Sequence, residues 1–228
     1  MPPRSPGVRH SRPPDLRLAG MPESAASWAF ADVFAVEDEP IQAARHASLQ
    51  FGVPPVSPAA GAALAVAAAG RPATSIIEIG TGVGVSGLWL LRGAPAAQLT
   101  TIDADVEHHQ VARTMFAAAG HPAKQVRLIT GRAHDVLPRM NEESYDLVFV
   151  DADWEAVAEH TDAALKLVTR GGSVLVARVL QGGKVAHPAK RDRVTSTYRD
   201  LLKTLRARED LLASISPVGD GLLHLVRR

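Results

Sequence analysis

The sequence predicts an α/β protein: a seven-stranded, mostly parallel sheet with helices on both faces and an antiparallel hairpin at its C-terminal end. Three observations carry that expectation. Short apolar runs alternate with helical stretches from residue 75 to residue 177, the pattern of repeated β-α-β crossovers. The first of these runs feeds a glycine-rich turn and then a helix. The last two runs, residues 211–215 and 222–226, are separated only by Ser216-Pro217-Val218-Gly219-Asp220-Gly221, which is too short for a crossover helix, so they must pair as a hairpin.

Each element follows from local chemistry. Residues 1–20 set Pro2, Pro3, Pro6, Pro13 and Pro14 among arginines with no apolar period, so they are expected as a disordered tail, with Met21 an alternative start and residues 21–228 a single domain. Two helices precede any strand: residues 23–36, and a second opened by Asp38 as N-cap with Pro40 in its first turn and closed near Gly52. Val53-Pro54-Pro55-Val56 is extended because each proline disfavours a helical residue before it, and Ser57-Pro58 then starts an alanine-rich helix that ends at Gly70. The alternation continues as strand 75–79, helix 84–92, strand 99–102, helix 105–119 stopped by Gly120, strand 126–129 and a short helix near 133–140. Strand 147–150, helix 155–168, strand 173–177 and a long helix over about 189–208 lead to the hairpin.

Composition narrows the function. With 25 Lys+Arg against 24 Asp+Glu the net charge is +1, split as +3 in residues 1–20 and −2 in the remainder, which argues against nucleic acid as a partner. The longest apolar stretch, residues 59–70, is well under the roughly 20 residues of a spanning helix, so no membrane association is expected. A chain without cysteine has no disulfide framework, thiolate nucleophile or Cys-containing zinc site, and suits a reducing cytoplasm.

The chemistry concentrates in Ile76-Ile77-Glu78-Ile79-Gly80-Thr81-Gly82-Val83-Gly84-Val85-Ser86-Gly87, a buried-type strand, a glycine turn and a helix start. Bare backbone at Gly80, Gly82 and Gly84 lets a ligand approach, and the helix offers unpaired N–H groups. Gly82-x-Gly84-x-x-Gly87, with Asp103 lying 21 residues beyond Gly82, also fits a dinucleotide site, so an NAD(P)-dependent oxidoreductase is an alternative. Glu78 weighs against it, since a carboxylate at the strand end repels a pyrophosphate and accepts hydrogen bonds from an ammonium, as S-adenosylmethionine carries. Neither Tyr145 nor Tyr198 has a lysine at the Tyr-x-x-x-Lys spacing.

At residues 38–228 the sequence resembles the small class I O-methyltransferases, the group of catechol and caffeoyl-CoA O-methyltransferases and their bacterial relatives. The resemblance rests on Pro55-Val56-Ser57-Pro58, on Glu78 through Ser86, on Thr101-Ile102-Asp103, on Gly131-Arg132-Ala133 with Leu137-Pro138, on Tyr145 through Asp153, on Gly171-Gly172 and on Pro217 through Leu222. It implies a Rossmann-like methyltransferase fold, S-adenosylmethionine as cofactor, a small-molecule acceptor and a homodimer. The cofactor residues it implies are Val56 on a lid-like loop, Glu78 near the methionine amino group, Gly80, Thr81, Gly82 and Gly84 along the turn, and Ser86 toward the carboxylate. Asp103 with Ala104 is implied at the ribose, Ala133 at the adenine, and Asp151 near the sulfonium.

The family's metal ligands are an aspartate matching Asp151 and an Asp-Asn pair after the fifth strand, where this chain has Ala177-Arg178. Alanine has no donor atom and arginine is permanently cationic, so no divalent metal is expected. The family's lysine is replaced as well, by Trp154. Asp151, Asp153, Trp154 and Arg178 are therefore the expected acceptor-binding residues, with Arg178 supplying the positive charge. No residue is assigned as catalytic base, although His134, His160 and Asp153 are candidates. Both of those histidines are read as surface residues, His108 and His109 as a solvated helix face, Lys184, Lys190, Arg191 and Arg193 as a solvated basic cluster, and Trp28 and Trp89 as core. Loss of the metal pair also motivates a second possibility, a catalytically silent protein that binds the cofactor as an interaction module.

Overall fold

A computed structural model describes residues 23–228, and the expected tail and Met21 fall outside the described residues. Three helices, α1 (Glu23–Phe34), α2 (Glu39–Gln50) and α3 (Pro58–Gly70), precede β1 (Ser75–Ile79). The chain then runs through α4 (Val85–Gly93), β2 (Gln98–Asp103), α5 (Val106–Ala118), β3 (Val126–Thr130), the single turn α6 (Ala133–Val136), β4 (Tyr145–Val150), α7 (Val157–Leu167) and β5 (Val168–Val176). It ends with α8 (Arg193–Arg206), β6 (Leu211–Ser216) and β7 (Leu222–Arg227). The strands form one seven-stranded sheet in the order β3-β2-β1-β4-β5-β7-β6, parallel except where β7 runs antiparallel to both β5 and β6.

The caps explain the boundaries. Asp38 accepts from the Ile41 amide and Ser57 from the Ala60 amide, each followed by a proline in the first turn, as the sequence requires. The long C-terminal helix starts later than residue 189 because Asp192 caps it, accepting from both the amide and the hydroxyl of Thr195. α7 likewise begins after a single 3-10 turn at Trp154–Ala156.

Alternate residues of each strand feed two apolar layers. Ile76, Leu99 and Phe149 pack with Leu64, Trp89 and Phe116 under α2 to α5, while Ile77, Ile102 and Val148 pack with Leu165, Tyr198 and Leu201 under α7 and α8. Both faces of β1 are buried, which is why its sequence reads as a nearly continuous apolar run. One residue breaks that run, Glu78, and it is completely buried on the α4–α5 side. Trp89 is core as expected, but Trp28 is not: it is 57% exposed on α1, because that helix meets the body mainly through α3 and leaves much of its apolar surface uncovered.

Candidate active site at the carboxyl edge of the sheet

The C-terminal ends of β1, β2 and β4 meet at the point where the strand order reverses, the usual place for a ligand in an open α/β sheet. The chain leaves β1 into a sharp turn at Gly80 (φ +98°), whose amide donates to the Ile102 carbonyl. A Cβ there would run into the carbonyl oxygen of Asp151, so the position requires glycine for space as well as for backbone angle. Gly84 (φ +97°) caps α4.

A cavity of about 860 Å³ opens above this turn. Its walls are Gly80, Thr81, Gly82 and Ser86 from the turn, Asp103 and Ala104 from the end of β2, and Ala133 with His134 beyond β3. Val56 closes it from the loop before α3, and Asp151, Asp153 and Arg178 form its far end. Asp103 is anchored by backbone donors, one oxygen accepting from the Gly82 amide (2.8 Å) and the other from the Asp105 amide (2.9 Å). The His108 ring lies 3.5 Å from the same carboxylate and also lines the cavity.

Three of the expected ligand residues stand elsewhere. Gly84 lies beneath the turn as the helix cap and is not part of the wall. Glu78 lies behind the wall, its two oxygens accepting from the hydroxyls of Ser86 (2.5 Å) and Thr101 (2.6 Å). Burial pushes its carboxyl up from the ordinary 4.5 to about 7, against the pull of those two hydrogen bonds, with Asp151 and Asp103 adding to the rise. Trp154 lines neither this cavity nor its neighbour. Its ring packs against the α7–α8 layer, with the Arg193 guanidinium 5.4 Å from its centre.

The neighbouring cavity, about 630 Å³, lies between α1, α3 and the loops that flank β7 and follow β5, and shares Pro55, Val56 and Arg178 with the first. Its remaining wall is largely apolar, including Trp28, Leu64, Phe149 and Leu222. Arg178 stands on the partition: Nε donates to Asp151 Oδ1 (2.8 Å), and Nη2 to Asp151 Oδ2 (3.2 Å) and to the Pro54 carbonyl (2.7 Å). Its backbone is left-handed (φ +58°), a costly conformation for a residue with a side chain and one that concentrates at functional sites.

Two histidines need correction, one from each expected pair. His160 and His109 are buried, at 5% and 3% exposure, rather than on the surface, because α7 and α5 turn them toward the sheet. His160 lines the first cavity and burial lowers its basicity, whereas His134 is half exposed on the same rim. The basic cluster is exposed as expected, but its backbone is held by Arg199, which donates to the carbonyls of Lys184, Val185, His187 and Lys190. Nothing in the sequence signalled that clamp, since the spacing between Arg199 and its partners has no local period.

The O-methyltransferase family model matches residues 42–228, which takes in the first cavity and the whole sheet but not the α1 wall of the second cavity. The chain belongs to this O-methyltransferase family. Relatives agree: a Mycobacterium marinum protein whose name places it among the O-methyltransferases is 41% identical over 192 residues, 84% of this chain and 86% of its own. Among solved structures, the O-methyltransferase TomG of Streptomyces achromogenes, involved in tomaymycin synthesis and determined in complex with SAM, is 32% identical with a TM-score of 0.80. That match covers 91% of this chain and 99% of TomG. The Bacillus cereus O-methyltransferase determined in complex with SAH is 26% identical with a TM-score of 0.78, over 90% and 97% of the two chains. Membership of this family decides the glycine turn for a methyltransferase and against the oxidoreductase alternative.

Proposed function

We propose that this protein is an S-adenosylmethionine-dependent methyltransferase that methylates an oxygen of a small molecule without an obligatory metal. The observation that carries the reading is Arg178, which forms a salt bridge with Asp151 on the partition between the two cavities, where the resembling family has its second and third metal ligands. Ala177 supplies no donor atom and Arg178 sets a permanent positive charge against Asp151, leaving a single carboxylate, so this donor set does not fit a divalent cation.

The first cavity fits the cofactor. A carboxylate has about four acceptor sites, and Asp103 gives two to backbone amides, leaving two for a pair of ribose hydroxyls. The first turn of α4 presents main-chain N–H groups that favour a ligand carboxylate, while the Ser86 hydroxyl gives its proton to Glu78. Gly80, Thr81 and Gly82 present main chain to the ligand, and Ala133 offers a small apolar surface to a base. When bound, the cofactor supplies a methyl group already activated on a positively charged sulfur. The residues around it therefore have to orient the acceptor, exclude water and take one proton.

The second cavity suits an acceptor with an apolar body. Arg178 has Nε and Nη2 engaged, which leaves Nη1 to meet an acceptor oxygen and favour its deprotonated form. Asp153, His134 and His160, all on the first cavity's wall, are the candidate proton acceptors. We further read the protein as a homodimer, because Trp28, Phe30, Phe34 and Val36 leave a cluster of large apolar side chains exposed on and beside α1. A monomer on a sizing column at micromolar concentration contradicts that part. A cytoplasmic setting fits a chain without cysteine, and no helix among the described residues is long and apolar enough to cross a membrane.

Calorimetric titration with S-adenosylmethionine, S-adenosylhomocysteine and NAD, in EDTA and again in Mg²⁺, tests the reading. The expected result is micromolar affinity for the first two, unchanged by Mg²⁺. Binding that requires Mg²⁺ refutes metal independence, and binding of NAD alone refutes the cofactor.

A further inference from the structure

Beneath the glycine turn a chain of hydrogen bonds crosses the α4–α5 layer. Ser86 and Thr101 both donate to Glu78; the Thr101 and Thr81 hydroxyls lie 2.6 Å apart; Thr81 Oγ1 lies 3.0 Å from His109 Nε2; and His109 Nδ1 lies 2.8 Å from the Thr130 hydroxyl. Glu78 and Thr101 are register partners on β1 and β2, so both side chains project to the face on which α5 carries His109. Glu78, Thr81, Thr101 and His109 are buried in an otherwise apolar layer, while Thr130, at the other end, is exposed.

The proton inventory gives this chain one direction. An ionised carboxylate only accepts, so Thr101 must donate to Glu78 and its own oxygen must accept from Thr81. Thr81 has then used its single proton, and its oxygen must accept from His109. His109 therefore carries its proton on Nε2, and its bare Nδ1 accepts from Thr130. With the proton on Nδ1 instead, Thr81 donates to the ring, Thr101 donates to Thr81, and Glu78 faces a lone pair at hydrogen-bond distance. We propose that His109 is a positioning residue for the cofactor turn: as the neutral Nε2–H tautomer it orients Thr81 and Thr101 so that the ionised form of Glu78 is favoured behind Ser86.

The arrangement links an exposed hydroxyl on β3 to a residue of the cavity wall. Ser86 points its proton inward at Glu78 and turns its lone pairs to the cavity, and the carboxylate behind it favours a ligand ammonium. The other charged groups bearing on Glu78 are Asp151 and Asp103, at the ends of β4 and β2. Those bearing on His109 are Asp103, Arg113, His108 and Asp105, and burial of the ring, the largest influence, lowers its basicity and so favours the neutral form. The inference rests on the cofactor reading above, and its test separates the two.

S-adenosylhomocysteine affinity is measured between pH 5.5 and 8 for the wild type, His109→Leu and His109→Gln. Leucine fills the site without a donor, whereas glutamine brings an amide N–H within reach of Thr81. His109→Leu is expected to weaken binding about tenfold at pH 7.5, the effect of one buried hydroxyl losing its donor. It is also expected to move the pH midpoint of binding upward by about one unit as Glu78 loses part of its support. His109→Gln restores both. A role in packing alone lowers affinity evenly across the pH range and gives glutamine no advantage over leucine.

Unchanged affinity and midpoint in His109→Leu overturn the proposal. The tautomer itself is read by ¹⁵N NMR of the wild-type imidazoles at pH 8, with His109→Gln assigning the signal. A protonated Nδ1 overturns the proposal even where His109→Leu fails to fold. A wild type that does not bind S-adenosylhomocysteine refutes the cofactor reading, and with it the role in positioning, while the NMR measurement still tests the hydrogen-bond chain.

Discussion

The two halves of the site are held by different physics. On the β1–β2 side, two carboxylates are fixed by main-chain amides and buried hydroxyls: Asp103 by Gly82 and Asp105, and Glu78 by Ser86 and Thr101. On the β4–β5 side, one carboxylate is fixed by a partly exposed arginine whose own backbone is strained, and the second cavity is walled largely by loops and by the sparsely packed α1. The first half is embedded in a core layer, where changing one group disturbs the fold. The second stands on its surface, where a substitution alters recognition and leaves the sheet intact. That is the division expected of an enzyme that keeps one cofactor and adapts to an acceptor.

Three substitutions sharpen or break this contrast. The largest effect is expected at Gly80→Ala, where a Cβ meets the Asp151 carbonyl and the backbone is left-handed. The expected loss is about 4 kcal/mol of stability, read from denaturant unfolding, together with loss of cofactor binding. A stable variant that binds normally shows that the two strand ends can move apart and that the first half is not rigid.

Glu78→Gln comes next and tests the buried carboxylate by its pH dependence. Because burial raises its folded-state pKa from 4.5 to about 7, Glu78 contributes full stability below pH 4.5, where folded and unfolded chains both hold the proton. That contribution declines as pH rises through about 7, by about 3 kcal/mol in all. The stability difference between wild type and Glu78→Gln should therefore shift in the variant's favour between pH 5 and pH 8, when unfolding midpoints are compared at the two values. A difference that does not change with pH means that Glu78 ionises as freely in the folded chain as in the unfolded one.

Arg178→Ala acts on the other half. The expected result is a fall of about 100-fold in the rate of methyl transfer, as for loss of one preorganised charge at a reacting oxygen. S-adenosylhomocysteine affinity should stay within about threefold of wild type, because Asp103 and Glu78, unlike Asp151, are held by main-chain amides and hydroxyls and not by Arg178. Equal losses in rate and cofactor affinity erase the distinction between the halves.

Much of the cofactor half was legible in the sequence, because glycines, caps and strand-end carboxylates act within a few residues of one another. Asp38, Ser57 and Asp105 cap the helices that follow them, and Gly80 and Asp103 come directly after or at the end of their strands. The errors lay where a side chain's environment is made by a distant element. Trp28 reads as core by composition, yet α1 leaves it exposed. His109 and His160 read as solvated, yet their helices turn them inward. Trp154, next to the site in sequence, is drawn away from both cavities to the α7–α8 layer and Arg193.

The sequence by itself determined the alternation of strands and helices, the hairpin that reverses the last strand and the glycine turn, because periodicity and turn chemistry are local properties; that Ala177-Arg178 stands in place of a metal pair is what the family resemblance implies. Only the tertiary structure decided that Arg178 closes on Asp151 and Pro54, that a second cavity adjoins the first, and that Thr101, Thr81, His109 and Thr130 join in one chain behind the turn. Arg178 and Pro54 are 124 residues apart, and Thr81 and His109 are 28 apart on different elements. Such pairs meet because the sheet order and helix packing bring them together, and no local pattern encodes that distance.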